Sequence, residues 1–161
     1  MDERPFRRVF KLYPWEWLLR EEFARHLTEQ RLLWLEPPWK MLLSNKAILA
    51  VLWELFPECP NLLPAHFEPT SDSYVRKPTQ AREGANVQWV QHGNVVAETE
   101  GPYGESPCIY QAVSALPNFD GNFPVLGSWM VNGYACGLGI REDRSPITSN
   151  ISRFVPHLFE K

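Results

Sequence analysis

Apolar residues in the first third of the chain recur at helical spacing. In WEWLLREEFARHLTEQRLLW (residues 15–34) they return every three or four positions, directly after Pro14, which favours a helix start. A second helix is predicted from about Asn45 to Phe56, where Pro57 and Pro60 end it. The buried face of the first helix would consist of its large apolar residues, Trp15, Leu18, Leu19, Phe23 and Leu27.

After residue 60 the apolar residues occur in short runs separated by Gly, Pro, Asn and Asp, which is typical of strands joined by turns. The runs are YVRK, VQWV, NVVAETE, CIYQAV, FPVLGSWMV and GYACGLGI, and RRVFKLY near the N-terminus also alternates. Two pairs of runs predict hairpins that turn at HGN (92–94) and NG (132–133). We therefore predict an α+β fold, mainly helical over 1–60 and then a mostly antiparallel sheet over 61–161.

Composition and charge restrict the class of protein. With 161 residues, 44% of them hydrophobic, the chain fits one globular domain or two small lobes that share a core. A net charge of −3 argues against a nucleic-acid-binding protein. No apolar run approaches the about 18 residues of a transmembrane helix, and the start is too charged for a signal peptide, so we expect no membrane partner and a cytoplasmic location. Cys59, Cys108 and Cys136 stand far apart, which indicates free thiols.

Lys46 lies in PWKMLLSNKAIL, at the first position of the second predicted helix, with Ser44 or Asn45 as the N-cap. A lysine at this end is unfavourable, since the helix dipole and the unpaired N–H groups there are already positive. A phosphate bound at the helix start would make the lysine favourable. From this residue alone, a solvated lysine is the more common explanation.

The segment YVRKPTQAREGANV (74–87) places cations at the end of a predicted strand. Lys77 ends the strand, and Arg82 offers a guanidinium that can bind two phosphate oxygens at once. Gly84 and Ala85 would let successive backbone N–H groups turn toward an oxyanion. The segment predicts either a flap over a nucleotide or, equally well, an ordinary glycine-containing hairpin with solvated cations.

Arg141 ends the glycine-rich run GLGI and is followed by Glu142 and Asp143. A surface turn with salt bridges is the usual explanation of such a cluster. An arginine in this place could also join a flap, a phosphate and a metal ion. Glu142, Asp143 and Asn150 are close enough in sequence to converge on one metal site, although adjacent acids in a turn are usually solvated.

Taken in order, several segments resemble the ATP-grasp synthetase domain of glutathionylspermidine synthase and its single-domain bacterial relatives. These segments are FKLYPWEW, EPPWKMLLSNKAIL, NLLPAHF, YVRKPTQAREGANV, IYQAVSALPNFDGNFPV, GSWMVNGYACGLGIRED and SRFVPH, and the resemblance runs over essentially the whole chain. The resemblance implies an ATP-grasp-like fold and an ATP-dependent carbon–nitrogen ligase. In such a ligase the acid attacks the γ-phosphate to give an acyl phosphate, and an amine then displaces the phosphate.

The resemblance also implies roles for individual residues. Arg141 matches the arginine that secures the flap and the transferring phosphate, and it is the predicted catalytic residue. The family's phosphate-binding lysines correspond to Lys46 and Lys77. Its flap corresponds to the segment with Arg82, Gly84, Ala85 and Asn86, and the segment that contacts adenine corresponds to Tyr110 and Gln111. These eight are the predicted ATP-binding residues.

The chain departs from the family in length. Family members are longer and hold Mg²⁺ and the acid substrate through residues upstream of FKLYPWEW. We therefore expect a C-terminal part of an incomplete ATP-grasp fold, with ATP and Mg²⁺ as cofactors but no metal ligands of its own. The substrates implied are a small acid and an amine, such as glutathione and a polyamine. A non-catalytic nucleotide-binding module that needs the missing half is the alternative, and an apolar face left by truncation predicts a homo-oligomer.

Overall fold

The computed structural model describes residues 6–27 and 32–160. Within them the helices are short. The α-helices are α1 (Trp15–Leu18), α2 (Met41–Ser44) and α3 (Ala47–Leu55), and 3-10 helices span Glu22–His26 and Pro38–Lys40. None of the helices in these residues is long and apolar enough to cross a lipid bilayer.

The prediction of one continuous helix over residues 15–34 is wrong. α1 covers only the first turn, a 3-10 helix follows, and residues 28–31 lie outside the described part of the chain. Trp15 and Leu18 of α1 are buried as expected, but Leu19 and Phe23 remain 50% and 51% exposed. Because an amphipathic helix is stabilised mainly by packing of its apolar face, the loss of that packing after the first turn explains the early end.

The strands lie mostly after residue 60, as the pattern of short apolar runs predicts. The described strands are β1 (Arg8–Phe10), β2 (Leu33–Leu35), β3 (Ala65–His66), β4 (Tyr74–Pro78), β5 (Gln88–Gln91), β6 (Asn94–Glu98), β7 (Cys108–Gln111), β8 (Phe123–Val131), β9 (Tyr134–Asp143) and β10 (Arg153–Val155). β1 and β2 form a parallel pair. The others form two antiparallel sheets, in the orders β3-β7-β4-β5-β6 and β10-β9-β8. The α+β fold with mostly antiparallel pairing is confirmed.

The core lies where α3 packs on the five-stranded sheet. Ala50 of α3 contacts Ala65 of β3 and Ile109 of β7, and all three are buried. Leu49 and Trp53 pack against this cluster from the same helix. The second predicted helix is therefore confirmed, and its contact with β3 and β7 fixes α3 relative to the edge of the sheet that these two strands form.

Both predicted hairpins are present. β5 and β6 are joined through His92 and Gly93, and β8 and β9 through Asn132 and Gly133. Each turn has two successive positive φ angles, 50° and 75° in the first and 49° and 82° in the second. This is the type I′ arrangement, whose twist matches that of the strands it joins.

The outer half of the β8–β9 hairpin extends away from the rest of the protein. All residues of this hairpin arm, defined as residues 126–137, are exposed. Neighbouring residues of a strand point to opposite faces, so the exposure of Trp129, Met130 and Val131 in succession leaves both faces of the arm uncovered in the described part of the chain.

Candidate functional site

A cleft of about 360 Å³ lies between the five-stranded sheet and residues 146–148. This volume falls within the range of about 300–1,000 Å³ that is typical of small-molecule sites. The segment joining β4 to β5, residues 79–87, contributes to its wall and is called the flap below. Most of the lining is apolar, and the polar or charged lining residues are Lys46, Lys77, Glu83, Gln111, Ser114 and Thr148.

Lys46 is the residue just before α3, and it lines the cleft. The Asn45 side-chain oxygen accepts a hydrogen bond from the Ala47 N–H (2.9 Å), so Asn45 caps the helix as predicted. The Lys46 backbone N–H donates to the carbonyl of Thr79 (2.7 Å), and its Nζ donates to the carbonyl of Ala81. These bonds tie the start of α3 to the beginning of the flap.

Lys77 lies at the end of β4, partly buried in the same cleft. Its Nζ donates to Oε1 of Gln111 (2.7 Å), a neutral partner on β7. Burial lowers the pKa of Lys77, and the nearby charge of Lys46 lowers it further. Burial also lowers the pKa of Lys46, as does Arg82, whereas Glu16 opposes the shift.

The two lysines therefore form a site that favours an anion. Among the residues that the structure describes, no carboxylate lies within salt-bridge distance of either Lys46 or Lys77. Two partly buried cations without a counter-charge repel each other, and an anion between them would relieve that repulsion. The residues present thus fit a phosphate-bearing ligand.

Arg82 lies on the flap but outside the lining of the cleft. Its Nε and Nη2 both donate to Oε1 of Glu16 on α1, with the Nε contact at 2.9 Å. The Glu16 side chain is only 9% exposed, whereas that of Arg82 is 39% exposed. The arginine predicted to bind phosphate is therefore held by an acid 66 positions earlier in the chain.

Gly84 and Ala85 line the cleft at the turn of the flap. Gly84 has a φ of 75°, which favours glycine, and a Cβ added there would lie 2.4 Å from the backbone oxygen of Thr148. The flap thus lies directly against the backbone of the loop that follows β9. This close approach closes one side of the cleft.

Asn86, also predicted to bind ATP, lies outside the cleft lining. Its side-chain oxygen accepts a hydrogen bond from the N–H of Tyr103 (2.7 Å), and its φ of 53° places it in the left-handed region. The structure therefore gives this side chain a role in joining the flap to the loop around Tyr103.

Tyr110 and Gln111, the two residues predicted to contact adenine, are neighbours on β7, so their side chains point to opposite faces of the sheet. Gln111 is buried and lines the cleft, but the Tyr110 side chain points away from it and contacts Tyr74 (ring centroids 5.2 Å apart). β7 lies between β3 and β4, so the backbone groups of both residues face neighbouring strands. The cleft is lined instead by the segment that follows, residues 112–116.

Arg141, the predicted catalytic residue, is exposed on β9 and does not line the cleft. It pairs with Val125 of β8, which does line the cleft. Directly opposed residues of an antiparallel pair carry their side chains on the same face of the sheet. Arg141 therefore leaves the sheet on the side that faces the cleft.

The two acids after Arg141 have partners within the protein. Glu142 forms an ion pair with Arg153 (3.0 Å). The Asp143 carboxylate accepts hydrogen bonds from the hydroxyls of Ser152 (2.6 Å) and Ser149 (3.1 Å), and the Ser152 bond is the main cause of its lowered pKa. These contacts organise the loop that supports the flap. In the described ranges, His, Cys, Asp and Glu side chains form no cluster of three or more that could hold a metal ion.

A family model described as "Glutathionylspermidine synthase preATP-grasp" matches residues 1–160 of the chain. The chain belongs to this family. The family that these sequence segments indicated is therefore confirmed.

Curated relatives of this preATP-grasp chain are ligases and synthetases by name. A "Putative acid--amine ligase" of Haemophilus influenzae is 46% identical over an alignment of 170 residues, which covers 99% of the chain and 43% of the relative. A "Trypanothione synthetase" of Crithidia fasciculata is 41% identical over 128 residues (76% of the chain, 20% of the relative). A "Bifunctional glutathionylspermidine synthetase/amidase" of Escherichia coli is 34% identical over 131 residues (78% and 21%). The chain thus spans less than half the length of each.

The preATP-grasp chain also contains site residues that its sequence pattern did not single out. Glu16 stands in the first turn of a short helix, where an acid is ordinarily explained by the helix dipole. Thr148 contributes a backbone oxygen, and no side-chain pattern predicts such a contact. The signal available for Glu16 was its position directly after Trp15, a large aromatic residue expected in the buried face, since a charged residue beside the core needs a partner.

Proposed function

We propose that this chain is the nucleotide-phosphate-binding part of an ATP-dependent acid–amine ligase. The observation that carries the proposal is the convergence of Lys46 and Lys77 on one cleft beside the flap, without a carboxylate partner among the described residues. Membership of the preATP-grasp family and the names of the relatives support the same reaction class.

In this proposal the carboxylate of the acid attacks the γ-phosphate of ATP, which gives an acyl phosphate and ADP. The amine then attacks the acyl phosphate and displaces the phosphate to form the amide. Lys46 and Lys77 bind the phosphates and stabilise the negative charge that spreads over them during transfer. The flap backbone at Gly84 and Ala85 covers the phosphates and excludes water. Arg141, on the cleft side of β9, is proposed to meet the transferring phosphate when the flap is closed.

The adenine is proposed to lie against residues 112–116, after the end of β7. This segment lines the cleft beyond the last paired residues of the strand. Backbone groups outside a sheet ladder are available to a ligand, whereas those of Tyr110 and Gln111 face neighbouring strands. Gln111 is proposed to act through its side chain, which orients Lys77.

The substrates are proposed to be a small carboxylic acid and an amine. The relatives' names point to glutathione and a polyamine. The reaction is proposed to occur in the cytoplasm, where free thiols such as the three cysteines of this chain are ordinary. Mg²⁺ is proposed to be held by carboxylates in the part of the relatives that this chain does not cover.

Coverage of 43% of the acid–amine ligase relative favours a second candidate function, nucleotide binding without turnover by this chain alone.

Calorimetric titration with ATP and Mg²⁺ tests the proposal. We expect the folded wild-type chain to bind, and Lys46→Ala and Lys77→Ala, at the two lysines that line the cleft, to weaken the affinity by at least about tenfold, or about 1.4 kcal/mol. Arg76→Ala is the matched control, because Arg76 adjoins Lys77 on β4 but does not line the cleft.

The outcomes separate the two candidate functions. A folded wild-type chain that does not bind ATP, or equal weakening by all three substitutions, would contradict the phosphate site. Release of ADP in the presence of an acid and an amine would support a complete ligase. Binding without ADP release would favour the nucleotide-binding module.

A further inference from the structure

We propose that Glu16 is a positioning residue for the phosphates, acting through Arg82 of the flap. The proposal rests on the proposed function, because it assigns Glu16 to the same nucleotide site. It arises from an ion pair between two parts of the chain that are 66 positions apart. Nothing in the role of α1 as a packing element requires this acid.

The two partners of the Glu16–Arg82 ion pair differ in burial, which indicates that Glu16 fixes the position of Arg82. Glu16 is almost completely enclosed and accepts both hydrogen bonds on one oxygen, while the guanidinium of Arg82 lies nearer the surface. Removing the arginine would leave a buried carboxylate without its counter-charge, which is strongly unfavourable. Arg82 therefore stays at Glu16, and its place relative to the cleft is set by α1.

The geometry of the contact leaves Arg82 able to bind a second anion. Glu16 is bound through Nε and Nη2, and within the described residues no hydrogen bond involves Nη1. A guanidinium has five N–H groups in one plane, so a carboxylate on one edge leaves donors for a phosphate on another. Glu16 and a phosphate thus do not compete for Arg82.

The same pair adjoins the contacts that fix Lys46. Lys46 donates to the carbonyl of Ala81, the residue before Arg82, and its backbone N–H donates to Thr79 at the start of the flap. Glu16 also lies close enough to oppose the lowering of the Lys46 pKa. One acid thereby anchors the first half of the flap and moderates the repulsion among the cations.

Binding of ATP and of AMP to the intact chain distinguishes positioning from general support of the fold. We expect Glu16→Gln to weaken ATP by about tenfold, while AMP, which lacks the β- and γ-phosphates, is affected by less than about twofold. Glu16→Asp should restore part of the ATP affinity, since it returns the charge. Glu22→Gln, an exposed acid on the neighbouring 3-10 helix, is the matched control and should bind both nucleotides like the wild type.

A double-mutant cycle supplies the second measurement. If Glu16 acts through Arg82, Glu16→Gln should have no further effect on ATP affinity in an Arg82→Gln background, and removing both partners also avoids a buried unpaired charge.

The outcomes distinguish failure of the positioning role from failure of the proposed function. Equal or tighter ATP binding by Glu16→Gln, or equal losses for ATP and AMP, would overturn the positioning role while leaving the phosphate site intact. No ATP binding by the folded wild type would overturn the proposed function and this inference with it.

Discussion

Lys77 carries its charge in a place that is largely shielded from water. Burial lowers its pKa below the ordinary value of 10.5, and the charge of Lys46 lowers it further. Between the lowered pKa and 10.5 the unfolded chain therefore binds more protons than the folded one. The stability that depends on this residue is fully present above the unfolded-state pKa and is lost as the pH falls through the folded-state pKa.

We predict that the free energy of unfolding of the wild type rises relative to that of Lys77→Met as the pH increases from the lowered pKa of Lys77 toward 10.5. Methionine keeps a long unbranched side chain without the charge, so the difference between the two proteins follows the proton equilibrium of Lys77. Urea denaturation at a series of pH values measures this difference in the free energy of unfolding. Lys40→Met is the matched control, because it removes a lysine that lies outside the cleft. A constant difference over this range would contradict the burial of a charged Lys77.

The residues of the site differ in how well the sequence predicts them. Lys46 and Lys77 could be found because each stands at the end of a regular element, where a cation needs an explanation. Their convergence depends on the packing of α3 against β3 and β7, which spacing along the chain does not reveal. The partner of Arg82 is 66 positions away, and nothing in the flap segment specifies Glu16.

At the scale of elements, the flap is held from both sides. Arg82 ties its first half to α1, and Gly84 lies against the loop after β9. The Asp143 carboxylate in turn organises that loop through the hydroxyls of Ser149 and Ser152. The position of the flap is therefore set by contacts with two separate elements.

We predict that Gly84→Ala lowers the free energy of unfolding by about 1–3 kcal/mol more than Gly93→Ala does. Both glycines have a φ of 75°, so both substitutions carry the same backbone strain. Only at position 84 would the new Cβ collide with a backbone atom, the oxygen of Thr148, whereas nothing lies within 4 Å at position 93. Denaturation of the two variants measures the difference, and equal losses would contradict the close approach of the flap.

The elements themselves were predictable where local chemistry determines them. His-Gly and Asn-Gly define both hairpin turns, because successive positive φ angles are needed there and few residue pairs accept them. The long helix was not predictable in the same way. Its apolar spacing over 15–34 is helical, but Leu19 and Phe23 lack the burial that would stabilise more than one turn of α1.

At the scale of the whole molecule, large apolar residues remain on the surface. The chain spans 43% of the acid–amine ligase relative, and the hairpin arm exposes Trp129, Met130, Val131 and Tyr134. Contiguous apolar surface of this kind is typical of an interaction site. The sequence predicts how apolar the arm is, but not that it lies uncovered, because exposure depends on the assembled fold.

We predict that the isolated chain self-associates through the hairpin arm, with an average mass that rises with concentration in sedimentation or light-scattering experiments. Met130→Lys combined with Val131→Lys should shift the chain toward the monomer, because charged residues oppose burial of the arm against a second copy. Ile151→Lys is the matched control, an exposed apolar residue away from the arm. A monomeric wild type at high concentration would contradict the prediction.

The hairpin arm also determines where the molecule can be labelled. Cys136 on the arm is exposed, whereas Cys59 and Cys108 are partly buried. Because a thiol must be accessible to react, a maleimide dye added at low ratio should attach first at Cys136. The unaltered sequence thus provides an optical reporter on the arm, and a change in its fluorescence would record the arrival of a docking partner.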